Sequence, residues 1–78
     1  MRQRIGELAD ALTEGLRRSG VPEMVASVVQ VQIEEALRSE RFRQFLASQE
    51  KVPAKDVLDK LILRFDPLNF RVDLDYKN

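Results

Sequence analysis

The sequence predicts a small, mainly α-helical domain of three or four helices, followed by a single C-terminal β-strand. Two patterns support this class: apolar residues recur at spacings of three and four from Ile5 to Phe65, and they alternate with charged residues from Phe70 to Tyr76. The length of 78 residues allows one hydrophobic core and no second one. We expect residues 1–66 to form the helical domain and residues 67–78 to form the extended strand or tail.

The first helix is predicted from Arg2 to Ser19, because its apolar residues form one stripe at helical spacing. The stripe consists of Ile5, Leu8, Ala9, Leu12 and Leu16. Gly20 follows as a typical C-terminal stop. Ala11 and Gly15 lie one turn apart and leave a groove in which another helix can approach, so we expect both residues to bind a partner.

The second helix begins at Val21-Pro22-Glu23, since proline is tolerated in the first helical turn. Its apolar stripe consists of Val25, Val28, Val29, Ile33, Ala36 and Leu37. Met24 and Val31 widen this stripe towards a second face. The apolar face is therefore wider than a three-helix bundle needs, which indicates a contact with another chain.

Two shorter helices are predicted next. The apolar face rotates at Ser39–Glu40, so we expect a break there, with Ser39 capping a third helix that contains Phe42, Phe45 and Leu46. A fourth helix is predicted from Pro53 to Asp66-Pro67, because a residue before proline disfavours helix. Its stripe consists of Val57, Leu58, Leu61, Ile62 and Phe65.

The tail has the two-residue period of a half-buried strand. Its apolar residues are Phe70, Val72, Leu74 and Tyr76, which alternate with Arg71, Asp73, Asp75 and Lys77. No other segment is an equally good strand, and an unpaired strand leaves backbone donors and acceptors without partners. We therefore expect a homodimer or a strand of another protein to complete it, with the four apolar residues as partner-binding residues.

Composition excludes several classes of function. The chain has no cysteine and no histidine, which removes thiolate chemistry, disulfides and the commonest metal ligands, so no metal or cofactor is expected. Lysine plus arginine and aspartate plus glutamate each total 13, which argues against a polybasic nucleic-acid binder. The longest apolar run is Leu61-Ile62-Leu63, too short for a signal peptide or membrane span, so a cytoplasmic location is the default.

Carboxylates and basic residues suggest weaker alternatives. Arg38, Arg41 and Arg43 could form a phosphate-binding patch, although neighbouring glutamates such as Glu34 are spaced to pair with them. An enzyme using only carboxylates, lysine and serine would need a cleft that holds a pair such as Asp56 with Lys60. Neither pattern is specific, and a solvated helix face explains each one.

The sequence therefore favours a non-enzymatic protein–protein interaction module, such as a small adaptor, assembly factor or regulator of bacterial or phage type. It would act through a helical face and the C-terminal strand, on a protein partner or its own copy. The alternative is a dimeric DNA-binding transcriptional regulator that uses the arginine cluster. No small-molecule substrate is evident, and a nucleic-acid or membrane partner is not expected.

Overall fold

Four helices followed by an antiparallel two-stranded hairpin form the computed structural model, which describes residues 2–77. The mainly helical character predicted from the sequence is confirmed. The elements are α1 (Arg2–Arg18), α2 (Glu23–Arg38), α3 (Glu40–Ser48), α4 (Ala54–Asp59), β1 (Leu61–Asp66) and β2 (Arg71–Tyr76).

The helix α1 ends at the predicted glycine. Gly20 has a φ of 106°, a left-handed conformation that favours glycine. Its N–H donates to the carbonyl oxygen of Arg17, and the N–H of Val21 donates to that of Leu16, both at 3.1 Å. This pair of hydrogen bonds is a Schellman motif, which reverses the chain so that α2 packs back against α1.

The predicted break at Ser39 separates α2 from α3. Ser39 has extended backbone angles and lies at the C-terminal cap of α2 and the N-terminal cap of α3. Its hydroxyl does not cap α3 as predicted, since it donates backwards to the carbonyl oxygen of Ala36 at 2.7 Å. The change of direction still brings Phe42, Phe45 and Leu46 into the core.

The predicted single strand is wrong, because β2 pairs with β1 of the same chain. The fourth helix ends at Asp59 rather than at Asp66, and Leu61–Asp66 forms a strand whose register pairs Leu63 with Leu74. Leu61, Leu63 and Phe65 lie two residues apart, with the charged Arg64 and Asp66 after the last two, so this segment carries a strand period beside its helical one. Pairing with β2 decides between the two, because it satisfies backbone groups on both segments.

One face of the hairpin covers the helices. Tyr76 stacks on Phe45 with ring centroids 4.2 Å apart and meets Phe42 edge-on at 5.0 Å. The other face is charged, with Arg64 donating to the carboxylate of Asp73 at 3.1 Å. The buried core consists of Leu8, Ala9, Val29, Ile33, Leu37, Phe42, Phe45, Leu46, Val57 and Leu74.

Candidate interaction surfaces

A row of apolar side chains lies on the outer face of α2. Met24, Val28 and Val31 are 84%, 53% and 55% exposed, and their spacing places them on one side of the helix. The opposite side carries the buried residues Ala26, Val29, Ile33 and Leu37. Val28 was predicted in the main stripe and is instead exposed with Met24 and Val31, so α2 carries apolar residues on both faces.

The turn of the hairpin exposes two further apolar residues. Leu68 is 88% exposed and Phe70 is 51% exposed. Phe70 has a φ of 51°, which is unusual for a bulky residue and costs about 1–2 kcal/mol relative to a right-handed conformation. Phe70 is the last residue of the turn that joins β1 to β2.

Gln32 joins the hairpin turn to α2. Its side-chain amide donates to the carbonyl oxygen of Phe70 at 2.8 Å and accepts from the N–H of Val72 at 2.8 Å. Gln32 lies one turn after Val28, so the backbone of Phe70 is held beside the exposed row of α2. We call Met24, Val28, Val31, Leu68 and Phe70 together the α2–turn surface.

The four partner-binding residues predicted on the tail differ in how deeply they are buried. Phe70 is exposed, Val72 and Tyr76 are half-buried against the core, and Leu74 is 5% exposed and belongs to the core. Pairing with β1 turns the face of Val72, Leu74 and Tyr76 towards the helices. The prediction that this face binds a partner is therefore corrected for Leu74, which has no surface to offer.

The predicted groove on α1 is open. Ala11 and Gly15 are both exposed, and a Cβ added to Gly15 would meet no atom within 4 Å. The role of these two residues in binding stays a prediction.

The arginines of the predicted nucleic-acid patch face carboxylates. Arg38 lies 3.6 Å from Glu34, as the sequence spacing predicted, and Arg43 lies 3.5 Å from Glu40. Arg41 pairs with Asp75. These ion pairs reduce the positive potential that phosphate binding needs.

Arg41 also approaches two aromatic rings of the domain. Its guanidinium carbon lies 5.5 Å from the ring centre of Tyr76 and 6.0 Å from that of Phe42, within cation–π range. Arg41 is thus engaged by the domain itself, although its side chain remains exposed.

Asp56 and Lys60, the example of a pair that a carboxylate–lysine enzyme would need, do not pair with each other. The ammonium group of Lys60 donates to the side-chain oxygen of Gln49 at 2.7 Å, and Asp56 is exposed on α4. No group of three or more acidic side chains that could hold a metal ion occurs among the described residues.

A shallow depression of about 440 Å³ lies on the hairpin beside the turn. Its lining residues are Arg64, Phe65, Asp66, Arg71, Val72 and Asp73. Hydrogen bonds from the side chain of Asn69 and the N–H of Leu68 lower the pKa of Asp66 and keep its carboxylate ionised. Two cations face two anions, so the depression has no charge excess that would select a substrate.

Comparisons with protein families, curated proteins and solved structures find no match to this chain. None of the described helices is both long and apolar enough to cross a membrane. The surfaces of the chain itself are therefore the basis for inferring its function.

Proposed function

We propose that this protein is a non-enzymatic interaction module that binds another protein through the α2–turn surface. The observation that carries the proposal is the strained, exposed Phe70, which Gln32 holds beside the apolar row of α2. Aromatic residues in such positions commonly contribute most of the affinity of an interface. Exposed apolar side chains that share one face of a helix are typical of a binding site.

The chemistry of α2 favours an amphipathic helix as the bound element. Met24, Val28 and Val31 follow the spacing of a helix-packing seam. Glu35 continues the same row and is exposed, and none of the ion pairs among the described residues involves it. The partner helix is therefore expected to present apolar residues three and four apart, with a lysine or arginine opposite Glu35.

Self-association is the second part of the proposal. A chain of this size buries roughly 60–65% of the surface of its unfolded form, so a second copy would add stability that the single core supplies only marginally. A homodimer would also present two α2–turn surfaces, which raises the apparent affinity for a partner with two sites. This arrangement suits a small adaptor, assembly factor or regulator acting in the cytoplasm.

The test compares two double variants that each add two carboxylates. Val28→Glu with Val31→Glu places them in the apolar row of α2, and Gln44→Glu with Ala47→Glu places them at exposed positions of α3, outside that row. Proteins that the wild type retains from a cell extract are purified, and their dissociation constants for the wild type and for both variants are measured. The proposal is supported if Val28→Glu with Val31→Glu lowers the affinity at least tenfold and the control does not.

Two outcomes would overturn the proposal. One is a purified partner that binds Val28→Glu with Val31→Glu as tightly as the wild type. The other is binding of duplex DNA whose affinity falls steeply with salt and is lost on changing Arg38, Arg41 and Arg43 to glutamine, which would establish the DNA-binding alternative. Circular dichroism of each variant confirms that the helices remain formed.

A further inference from the structure

We infer that β1 is the self-association edge of this protein, and that two copies pair β1 with β1 antiparallel around a twofold axis at Leu63. The resulting four-stranded sheet has the order β2-β1-β1-β2. The inference rests on the self-association part of the proposed function, and is independent of the α2–turn surface.

The two edges of the hairpin differ in their hydrogen bonding. The N–H of Lys77 donates to the carbonyl oxygen of Lys60 at 2.9 Å, which sets the alternation of the ladder. By that alternation, the backbone groups of Ile62 and Arg64 point towards β2, and those of Leu61, Leu63 and Phe65 point away from it. The outer edge of β1 therefore presents three N–H and three carbonyl groups.

Side chains bond part of the outer edge of β2, and among the described residues no hydrogen bond outside the ladder reaches the backbone of Leu74. Gln32 bonds Phe70 and Val72, and the carboxylate of Asp75 accepts from the N–H of Tyr76 at 2.7 Å. On the outer edge of β1, no hydrogen bond from the described residues reaches the backbone of Leu61, Leu63 or Phe65. Natural proteins usually protect such edges with proline, charged side chains or a bulge. Leu61–Asp66 has no proline and no bulge, and the charge of its central Arg64 is paired with Asp73 of β2.

Only one antiparallel register uses the whole edge. With Leu63 opposite its own copy, Leu61 faces Phe65 of the second copy, and all outward backbone groups are paired. Centring on Ile62 leaves Phe65 opposite Asp59 of the second copy, which lies in α4. Centring on Arg64 places Leu61 opposite Pro67 of the second copy, which has no N–H to donate.

Side-chain chemistry favours the same register. Leu61, Leu63 and Phe65 are only half-buried in one chain, and pairing with their counterparts would cover them further. On the opposite face, Ile62 lies beside Arg64 of the second copy, with no like charges in contact. Centring on Arg64 would instead place two guanidinium groups directly opposite each other, which destabilises a strand pair.

The register is tested with single cysteines, because the chain has none of its own. In the inferred dimer, Ile62 and Arg64 of the second copy form a non-hydrogen-bonded pair with Cα atoms about 4.5 Å apart, within disulfide range. Ile62→Cys is mixed in a redox buffer with isotope-labelled Arg64→Cys, so that mass spectrometry separates the mixed dimer from the two self-linked ones. The mixed disulfide should form. Neither variant should cross-link to itself, because those Cα atoms lie about 8 Å apart.

Each other outcome of the cross-linking experiment contradicts the inference. Self-cross-linking of Ile62→Cys indicates the register centred on Ile62, and self-cross-linking of Arg64→Cys indicates the one centred on Arg64. Cross-linking no faster than that of Ser27→Cys, an exposed position on α2, shows that β1 edges do not meet. A wild-type chain that sediments as a monomer with a dissociation constant weaker than about 1 mM also overturns the inference.

A charged residue at position 62 gives a second test, because its charge should affect the stability of the fold and the affinity of the dimer in opposite directions. Lysine there faces Asp75 within the chain and Arg64 of the second copy, so Ile62→Lys should retain the fold and weaken dimerisation about fivefold. Ile62→Glu should strengthen dimerisation while facing Asp75 unfavourably within the chain. Equal effects of both variants on dimerisation would contradict the inference.

Failure of this inference and failure of the proposed function are distinguishable. Val28→Glu with Val31→Glu should abolish partner binding and leave the Ile62–Arg64 cross-link unchanged. Ile62→Lys should weaken the dimer and leave the affinity of one α2–turn surface unchanged. Loss of cross-linking in the α2 variant would show that α2, rather than β1, carries self-association.

Discussion

Gln32 bonds two backbone groups on the outer edge of the hairpin, where the turn leads into β2. Its carboxamide accepts from the N–H of Val72 and donates to the carbonyl oxygen of Phe70, each at 2.8 Å. One residue of a neighbouring parallel strand makes the same two contacts through its own N–H and C=O groups. The side chain of one helical residue thus fixes the turn end of the hairpin to α2.

Replacing Gln32 should destabilise the domain. Gln32→Leu removes the hydrogen bonds to the half-buried N–H of Val72 and the exposed carbonyl of Phe70, at an expected cost of about 1 kcal/mol in the free energy of unfolding. Urea denaturation measures the change, and amide exchange of Val72 should accelerate. Gln30→Leu is the control, because Gln30 bonds only the exposed side chain of Asp10. Equal stability of the two variants would show that the edge contact contributes nothing.

Replacing Phe70 by glycine should destabilise the domain less than replacing it by alanine. Both substitutions remove the ring, but the φ of 51° suits glycine and strains alanine. Phe70→Gly is therefore expected to be about 1 kcal/mol more stable than Phe70→Ala, the reverse of the usual order in regular structure. Thermal denaturation of the pair measures this difference. An Ala variant as stable as the Gly variant would mean that the turn relaxes out of the left-handed conformation.

Arg4 should be important for attaching α1 to the loop before α4. Its guanidinium donates to the carbonyl oxygens of Gln49 at 3.0 Å, of Glu50 at 2.8 Å and of Val52. Arg4→Ala removes all three bonds and should lower the free energy of unfolding by about 1–3 kcal/mol. Arg4→Lys should recover part of the loss, because an ammonium group donates without the planar fork. An alanine variant with wild-type stability in urea would contradict this role.

The helices were predictable from sequence because their signals are local. Gly20, Pro22 and Ser39 mark the boundaries of α1, α2 and α3, and each lies where the structure changes direction. The apolar spacing within each segment then gives its buried face. The side-chain contacts of Ser39 were not predictable, since a hydroxyl can bond forwards or backwards at the same position.

The strand β1 was missed because its sequence fits two periods. Leu58, Leu61, Ile62 and Phe65 follow a helical stripe, while Leu61, Leu63 and Phe65 alternate. The decisive signal was non-local: a matching alternation in β2 across Pro67 and Asn69, which are typical turn residues. The contacts of Gln32 with the hairpin join residues about 40 positions apart, and no local pattern indicates them.

Acid should destabilise this protein partly through Asp66. Hydrogen bonds from Asn69 and Leu68 lower the pKa of Asp66 in the folded state below its ordinary value of about 4. The unfolded chain therefore takes up a proton first as the pH falls, so the stabilisation is present above about pH 4 and is lost as the pH falls through the folded pKa. Asp66→Asn should be less stable than the wild type at neutral pH, and the difference should shrink in acid.

Urea denaturation of both proteins from about pH 2 to pH 7 measures that difference. Asp59→Asn, which removes an exposed carboxylate at the end of α4, corrects for the loss of one charge. Some acid dependence should remain in Asp66→Asn, because Arg17 donates to Glu23 at 2.6 Å and lowers the pKa of that carboxylate too. A constant difference between wild type and Asp66→Asn across the whole range would show that Asp66 stabilises the turn without any change in its ionisation.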